Sequence, residues 1–448
     1  MNTLLAAACL GLLSPPTAKD VMSRIDVEYV KSNNYKLSSF GTRHSLSDAA
    51  HPTRGIGAAR NWIKAEFESY NASGDGEGLL QVMFEEFEPP VTGRVSKPTK
   101  FVNVVAVLPG TMPEAAGRRY YVVGHYDSMP TDVMDPNSDA PGANDDASGT
   151  TAVMAIARAM AKTPCESTIV FLCTAGEEQS LIGAKYHADQ AAARKEDIRA
   201  VLSNDIVGDS MGPGGDPAKA TPTLIRVFSE SIPRNPSAER LQSIRTLAAE
   251  SDSASRQLAR YIAEVAEWES TVVKPMLVFR QDRFLRGGDH SAFNDVGFAA
   301  VRFTEVHEDY RHQHQTPRIE IVDGKEVQFG DLPEFVDHVY LANVAKLNAA
   351  ALVHLANAPS VPGRVRVITA KLEYWTTLRW ERSPEPDVAG YEVVWRETTS
   401  PVWQFSKDVG NVTEATIEES KDNYFFGVRA YDKDGYKSPV GFAGAARE

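Results

Sequence analysis

The stretch Tyr120-Tyr-Val-Val-Gly-His-Tyr-Asp-Ser128 runs from apolar residues directly into a histidine and a carboxylate. Other short apolar runs, at 167–173, 200–204 and 299–304, are likewise followed at once by polar residues. Strands that helices cover on both faces are nearly all apolar. These runs therefore predict a sheet that is buried on both faces and has polar side chains gathered at one edge.

Helical patterns separate the apolar runs. Apolar residues recur at helical spacing over 49–70, and further helical stretches follow at 149–162, 181–193 and 238–268. Two more strands are predicted near 80–84 and 103–108. Strands that alternate with helices favour an α/β domain, with a mixed, mostly parallel sheet flanked by helices. In such sheets the site lies beyond the carboxyl ends of the strands.

The character of the chain changes near Ala358-Pro-Ser-Val-Pro-Gly363, which is typical of a linker. Beyond it the helical periodicity ends, and strand-like runs recur between turn signals. The length fits one all-β sandwich. The strands Leu378-Arg-Trp380 and Tyr424-x-Phe-x-Val-x-Ala430 resemble those of a fibronectin type III module. We therefore predict an α/β domain over 19–358 and a β-sandwich over 359–448.

Residues 1–18 contain an apolar run that is too short to span a bilayer. The run is typical of the central part of a signal peptide, although no Lys or Arg precedes it. We expect residues 1–18 to be a signal peptide and the protein to be secreted or periplasmic, with no membrane span.

The charge and the cysteines limit the partners and the kind of scaffold. Lys and Arg number 47 against 60 Asp and Glu, for a formal net charge of -13. Such a chain repels nucleic acid and anionic membranes, so we expect neither as a partner. Cys165 and Cys173 flank a predicted strand, and we interpret them as buried thiols rather than a disulfide. The oligomeric state stays open.

Polar residues follow several of the predicted strands, and their occurrence together at one edge of the sheet is not expected by chance. Each has an ordinary explanation by itself, such as a helix cap for Asp145 or a favourable helix dipole for Glu177. Together they provide imidazoles and carboxylates without a thiolate, which fits a catalytic zinc site better than a structural one. Of two adjacent glutamates, one can bind a metal while the other takes a proton from water.

The motifs of the chain resemble those of the M28 family of zinc metallopeptidases, which includes bacterial secreted aminopeptidases. The matching segments are Gly124-His125-x-Asp127-Ser128, Gly142-Ala-Asn-Asp145-Asp146-Ala-Ser-Gly149, Gly176-Glu177-Glu178, Asn204-Asp205 and Gly288-Asp289-His290 with the late His314. The resemblance spans roughly residues 54–355. It implies the zinc exopeptidase fold and hydrolysis of the amino-terminal peptide bond of peptides that have a free amino terminus.

The resemblance also implies a site with two zinc ions. Asp145 would bridge the two ions. His125 and Asp205 would complete the coordination of one ion, and Glu178 and His314 that of the other.

Two further roles follow from the same resemblance. Glu177 would be the general base and later the proton donor, and Asp127 would orient His125 from behind. A cis peptide bond is implied between Asp145 and Asp146.

Alternatives stay open for two of the assigned residues. His307 and His312 lie in the same segment as His314, so ligand type does not separate the three. Asp289, before His290, would either support the wall of the site or serve as a helix N-cap.

Other functions also fit this fold. A carboxypeptidase-like amidohydrolase would need a basic pocket, for which Arg280, Arg283 and Arg286 are available. A glutaminyl cyclase-like enzyme would use a single zinc ion. A third alternative is a non-catalytic binding protein with a degenerate peptidase domain, although the intact pair Glu177-Glu178 argues against it.

Overall fold

A computed structural model describes residues 17–72, 78–370 and 373–446. Residues 1–16 of the predicted signal peptide lie outside the described residues. The signal peptide therefore stays a prediction.

Helices and strands alternate through the first four-fifths of the chain. The helices are α1 (Ala18–Ser23), α2 (Val27–Ser38), α3 (Gly55–Ala72), α4 (Ala147–Met160), α5 (Ile182–Ala193), α6 (Ala238–Leu247), α7 (Ala254–Trp268), α8 (Asp289–Asp295) and α9 (His338–Asn357). The strands of this part are β1 (Gln81–Phe87), β2 (Phe101–Leu108), β3 (Arg118–His125), β4 (Thr168–Thr174), β5 (Asp197–Asn204), β6 (Leu224–Ser229), β7 (Lys274–Val278), β8 (Ala300–Thr304), β9 (Arg318–Val322) and β10 (Lys325–Phe329).

Strands β1 to β8 form one eight-stranded mixed sheet in the order β1-β2-β4-β3-β5-β8-β6-β7. The four central strands β4, β3, β5 and β8 are parallel to one another. Strand β2 pairs antiparallel with β4, and β6 pairs antiparallel with β8. The predicted α/β fold with a mixed, mostly parallel sheet is therefore confirmed.

Helices cover both faces of this sheet, and successive side chains of a strand pack on opposite faces. On one face Val122 packs in a core with α4, α7 and α9. On the other face Val123 packs in a separate core with α5 and α8. Helix α9 is long and apolar enough to cross a membrane, but 83% of its most apolar window is buried inside the protein. Cys165 and Cys173 are buried free thiols, as predicted.

The prediction of a single helical stretch over 238–268 is wrong, because the chain forms two helices there. Helix α6 ends at Leu247, and the next residue, Ala248, has a left-handed backbone with φ of 52°. Ser253 then starts α7, since its hydroxyl accepts a hydrogen bond from the amide of Arg256 at 3.1 Å. The intervening Asp252 is buried against the C-terminal part of the chain, which the periodicity of the sequence does not reveal.

The C-terminal part contains only strands among its described residues. They are β11 (Gly363–Ile368), β12 (Thr376–Glu381), β13 (Val388–Glu397), β14 (Phe405–Gly410), β15 (Glu414–Ile417), β16 (Tyr424–Asp432), β17 (Gly441–Phe442) and β18 (Gly444–Ala446). They form two four-stranded sheets, β15-β12-β11-β18 and β14-β13-β16-β17, around one apolar core. The predicted C-terminal β-structure is therefore present, and its assignment to the fibronectin type III class stays a prediction.

Candidate metal centre

The carboxyl ends of the parallel strands bring the predicted site together. His125 is the last residue of β3, and the Glu177-Glu178 pair follows the end of β4 at Thr174. Asp205 follows directly after β5. Because these strands are parallel neighbours, their ends lie at one edge of the sheet, as the apolar runs predicted.

The side chains form two groups that share one carboxylate. In the first group the Nε2 atom of His125 lies 3.2 Å from Oδ1 of Asp145 and 3.8 Å from Oδ1 of Asp205. In the second group the Nε2 atom of His314 lies 2.9 Å from Oδ2 of Asp145 and 3.2 Å from Oε1 of Glu178. The two oxygens of Asp145 therefore face different groups. In each group the candidate ligand atoms lie within 4.8 Å of one another.

The donor atoms of these groups fit cations. His125 is 1% exposed, yet among the described residues neither of its ring nitrogens has a hydrogen-bond partner, and Oε1 of Glu178 is buried without one as well. Buried polar atoms are normally hydrogen-bonded, so orphaned atoms that converge on one point need another partner. Imidazole nitrogen and carboxylate oxygen are common zinc ligands.

The charges of the site also favour bound cations. Burial lowers the pKa of His314, but the carboxylates of Glu178 and Asp145 outweigh it and raise that pKa to about 11. Burial and the carboxylates of Asp205 and Glu178 hold the pKa of Glu177 well above its usual range. The site therefore has a strongly negative potential that divalent cations would balance.

Asp127 lies behind the site and contacts two parts of it. Its Oδ1 atom is 3.5 Å from Nδ1 of His125. The carboxylate also accepts hydrogen bonds from the backbone amides of Glu177 and Glu178, both at 3.2 Å. Asp127 is fully buried, so this one carboxylate sets both the ring of His125 and the turn that carries the two glutamates.

The turn that carries the glutamates requires glycine at its start. Gly176 has a φ of 78°, which disfavours a side chain. A Cβ atom at this position would lie 2.5 Å from the ring of Phe101. The Gly176-Glu177-Glu178 motif therefore has a packing reason in addition to its chemistry.

Asp146 organises the loop between β3 and α4. The peptide bond that joins it to Asp145 is cis. Its carboxylate accepts hydrogen bonds from the amide of Gly149 at 2.8 Å, which caps α4, and from the amide of His125 at 3.0 Å. The loop therefore places Asp145 beside His125.

Among the three candidate histidines, His314 is the one that reaches the carboxylates. His312 instead stacks on the ring of Phe335, with 3.9 Å between the ring centroids. His307 belongs to neither group of candidate ligands. Between His312 and His314, the side-chain amide of Gln313 donates a hydrogen bond to Oδ2 of Asp145 at 3.0 Å.

Asp289 supports the site and is not a helix cap. The N-cap of α8 is Gly288, and no side chain caps this helix. Asp289 instead accepts a hydrogen bond from the hydroxyl of Thr174, the last residue of β4. The N-cap interpretation is therefore wrong.

Two charged residues that the motifs did not include hold parts of the site in place. Arg302 is fully buried in β8, and its Nη2 atom lies 3.0 Å from Oδ2 of Asp205. Asp331 accepts hydrogen bonds from the amides of Asn144 and Asp145, at 2.8 and 2.7 Å. A charge inside an apolar strand could have indicated Arg302. No local signal indicates Asp331, because it lies 186 residues from Asp145 in the chain.

Comparisons with known proteins place the chain in a family. The model of peptidase family M28 matches residues 103–325. The chain is 44% identical over 436 residues to a probable zinc metalloprotease of the fungus Leptosphaeria maculans, with 96% of this chain and 98% of the relative covered. This chain belongs to peptidase family M28. A probable zinc metalloprotease of Pyricularia oryzae is also 44% identical, over 94% of this chain and 82% of the relative.

Solved structures show the same fold. The LapA aminopeptidase of Legionella pneumophila matches 76% of this M28 chain and 74% of its own, with 19% identity and a TM-score of 0.54. An aminopeptidase from Aneurinibacillus sp. matches 76% of this chain and 96% of its own, with 14% identity and a TM-score of 0.51. The M28 membership and the relatives identify this chain as a zinc peptidase.

Proposed function

We propose that this M28 peptidase is an aminopeptidase with two zinc ions, which hydrolyses the amino-terminal bond of peptides. The observation that carries the proposal is that the two carboxylate oxygens of Asp145 face different histidines. Its Oδ1 atom faces His125, and its Oδ2 atom faces His314. A carboxylate between two ions bridges them at about 3.5–4 Å in paired metal sites. His125 and Asp205 would hold one ion, and Glu178 and His314 the other.

The chemistry in this proposal centres on Glu177. Zinc ions, when bound, acidify a water molecule and polarise the scissile carbonyl. Glu177 takes the proton from the attacking water and delivers it to the leaving amine. Without metal ions, burial and the neighbouring carboxylates raise the pKa of this carboxyl, and bound cations would offset the charge of those carboxylates.

Three buried residues would position this machinery without touching the substrate. Asp127 fixes the ring of His125 and the turn of Glu177 through the contacts described above. Arg302 holds Asp205, and Asp331 holds the backbone at Asp145. Such outer contacts orient metal ligands, and their loss typically reduces metal affinity or activity by about 10–100-fold.

The basic residues near the site favour an amino-terminal over a carboxyl-terminal specificity. Arg283 and Arg286 both contact Glu308, at 2.7 and 2.8 Å. Arg226 contacts the same carboxylate at 2.9 Å. Arg283 also donates to Asp282 at 3.1 Å, so many of the N–H donors of these guanidinium groups are already used within the protein and fewer are free for the carboxylate of a substrate. A free amino terminus, by contrast, is attracted by the carboxylates of the site.

We also propose that the protein acts outside the cytoplasm, either secreted or periplasmic, with residues 1–18 as its export signal. Its partners would be peptides with a free amino terminus, and neither nucleic acid nor a membrane span is part of the proposal. The export signal has a direct test, because amino-terminal sequencing of the protein from culture supernatant should begin near residue 19.

The deciding experiment measures hydrolysis of aminoacyl-anilides with free and with blocked amines. We expect turnover of the free amines alone, loss of turnover with a chelator, and recovery with zinc. Equal cleavage of the blocked substrates would contradict the aminopeptidase, and no chelator-sensitive turnover would favour a binding protein.

Metal analysis tests the number of ions, with a matched pair of histidine variants. We expect two zinc ions per chain in the wild type and in His312→Ala, because His312 only stacks on Phe335. His314→Ala should hold fewer than two. A single zinc in the wild type would favour a glutaminyl cyclase-like enzyme.

A further inference from the structure

A third cluster of acidic residues lies where the α/β domain meets the C-terminal sandwich. Glu166 precedes β4, Asp387 precedes β13, and Asp432 is the last residue of β16. One carboxylate oxygen from each residue lies within 4.8 Å of one from each of the others. Two residues of the sandwich and one of the α/β domain thus direct carboxylates at one another.

In each residue of this cluster, one carboxylate oxygen is buried and has no hydrogen-bond partner among the described residues. Asp432 is 3% exposed, and its Oδ2 atom has no hydrogen bond within the described residues. Oε2 of Glu166 and Oδ1 of Asp387 are likewise buried and without a partner. The other oxygen of Asp432 accepts hydrogen bonds from the amides of Asp434 and Tyr436, both at 2.9 Å, so this carboxylate is held in place. Unpaired buried carboxylates are costly unless something else neutralises them.

No protein cation neutralises the cluster in the part of the chain that the structure describes. Arg118 is the arginine that acts on Glu166 electrostatically. Its guanidinium is already bound by the carboxylate of Glu385, by the hydroxyl of Ser167 at 3.1 Å and by the carbonyl of Ala358 at 2.9 Å. The negative charges of the cluster therefore lack a counter-ion from the protein.

We propose that Glu166, Asp387 and Asp432 bind a Ca²⁺ ion that joins the two domains. Ca²⁺ is a hard cation that takes 6–8 oxygen ligands at about 2.3–2.6 Å in flexible geometry, and waters or backbone carbonyls would complete its coordination. The cluster has no nitrogen or sulfur donor, so it suits zinc less well than the site at the other end of the sheet does.

This calcium site is separate from the zinc site. Glu166 precedes the amino end of β4, whereas Glu178 follows its carboxyl end. The seven residues of β4 alone separate the two by about 20 Å, at roughly 3.3 Å per residue. The calcium ion would therefore act on the junction of the domains and on stability, and the inference is independent of the proposed aminopeptidase activity.

The competing explanation is a proton shared between the carboxyl groups. Burial, with the charges of Asp387 and Asp432, raises the pKa of Glu166 to about 8, so an ion-free cluster would hold a proton at neutral pH. A proton and a Ca²⁺ ion compete for the same oxygens. The two explanations therefore predict opposite responses to added calcium.

The test is a calcium titration of the zinc-loaded full chain, followed by calorimetry and by thermal unfolding. We expect one Ca²⁺ to bind, and Ca²⁺ at about 100 times its dissociation constant to raise Tm by several degrees. Asp387→Asn should weaken calcium binding by at least about tenfold, in line with the loss of a charged ligand. Asp387 suits this change because its Oδ1 atom is buried and makes no hydrogen bond among the described residues.

Asp434→Asn is the matched control, because Asp434 is an exposed aspartate two residues from Asp432 that lies outside the cluster. It should bind calcium like the wild type. The proposal is overturned if calcium neither binds nor raises Tm, or if Asp387→Asn binds it as well as Asp434→Asn. An Asp387→Asn variant that is more stable than a calcium-insensitive wild type would overturn it in favour of the shared proton.

Discussion

Replacing Glu177 by Gln should remove most of the activity and leave the fold and the zinc content intact. The side chain of Glu177 is partly exposed, and its carboxylate makes no hydrogen bond or ion pair within the described residues. The contact that this residue does make uses its backbone amide, which donates to Asp127 at 3.2 Å and is unchanged in the variant. Gln has the same shape as Glu but cannot accept the proton of the attacking water.

The size of the expected loss follows from the role of Glu177. General base catalysis contributes about 10²–10⁴-fold to a rate. At about 1.36 kcal/mol per factor of ten, this range corresponds to about 2.7–5.4 kcal/mol of transition-state stabilisation. Because Glu177 would act twice, first as base and then as acid, we expect a loss in the upper half of this range. The unfolding free energy should change by less than about 0.5 kcal/mol, as for a side chain without structural contacts.

The assay is kcat/KM on an aminoacyl-anilide, with zinc content and Tm measured on the same samples. Glu178→Gln is the control, because Glu178 faces His314 at 3.2 Å and would be a zinc ligand. That variant should lose zinc as well as activity. If Glu177→Gln keeps both its zinc and at least a tenth of the wild-type kcat/KM, then Glu177 is not the general base.

Three further perturbations have expected outcomes. Asp127→Asn should lower zinc affinity or kcat/KM by about 10–100-fold, because Asp127 orients His125. Dialysis against a zinc buffer measures the affinity, and unchanged values of both quantities would refute this positioning role. Asp252→Asn should lower the unfolding free energy by about 3–5 kcal/mol, because it leaves Arg396 buried without the carboxylate that binds it at 2.8 Å. Urea denaturation measures this free energy, and a loss below about 1 kcal/mol would contradict the contact. Without calcium, the contribution of Glu166 to the stability of the protein should fall as pH rises from about 4.5 to about 8. The native state holds the proton of Glu166 more tightly than the unfolded chain does over this window, so deprotonation costs the native state free energy. Glu166→Gln should flatten this part of the curve, and an unchanged slope would count against the raised pKa.

The pattern of the sequence determined that the chain forms a sheet covered on both faces, and that polar side chains gather at one edge of this sheet. Strands that are covered on both faces must be apolar throughout, so runs such as 167–173 stand out without any knowledge of the fold. The polar residues that end them, His125, Glu178 and Asp205 among them, meet because parallel strands end at the same edge. The candidate metal ligands could therefore be predicted from local sequence together with the family motifs.

Contacts between distant segments were decided only by the tertiary structure. The family resemblance already favoured His314 over His312, but the two residues have the same chemistry, and only the structure shows which ring faces Asp145. Arg302 and Asp331 reach the site from other segments of the chain, so no spacing reveals them.

The same limit applies to the junction of the domains. Asp252, which lies between the two helices that replace the predicted long one, is buried against Arg396, 144 residues further along the chain. Glu166, Asp387 and Asp432 come together only when the sandwich packs on the α/β domain. Periodicity reports which faces of a segment are buried, whereas charge pairing across a fold depends on distances that the order of residues does not contain.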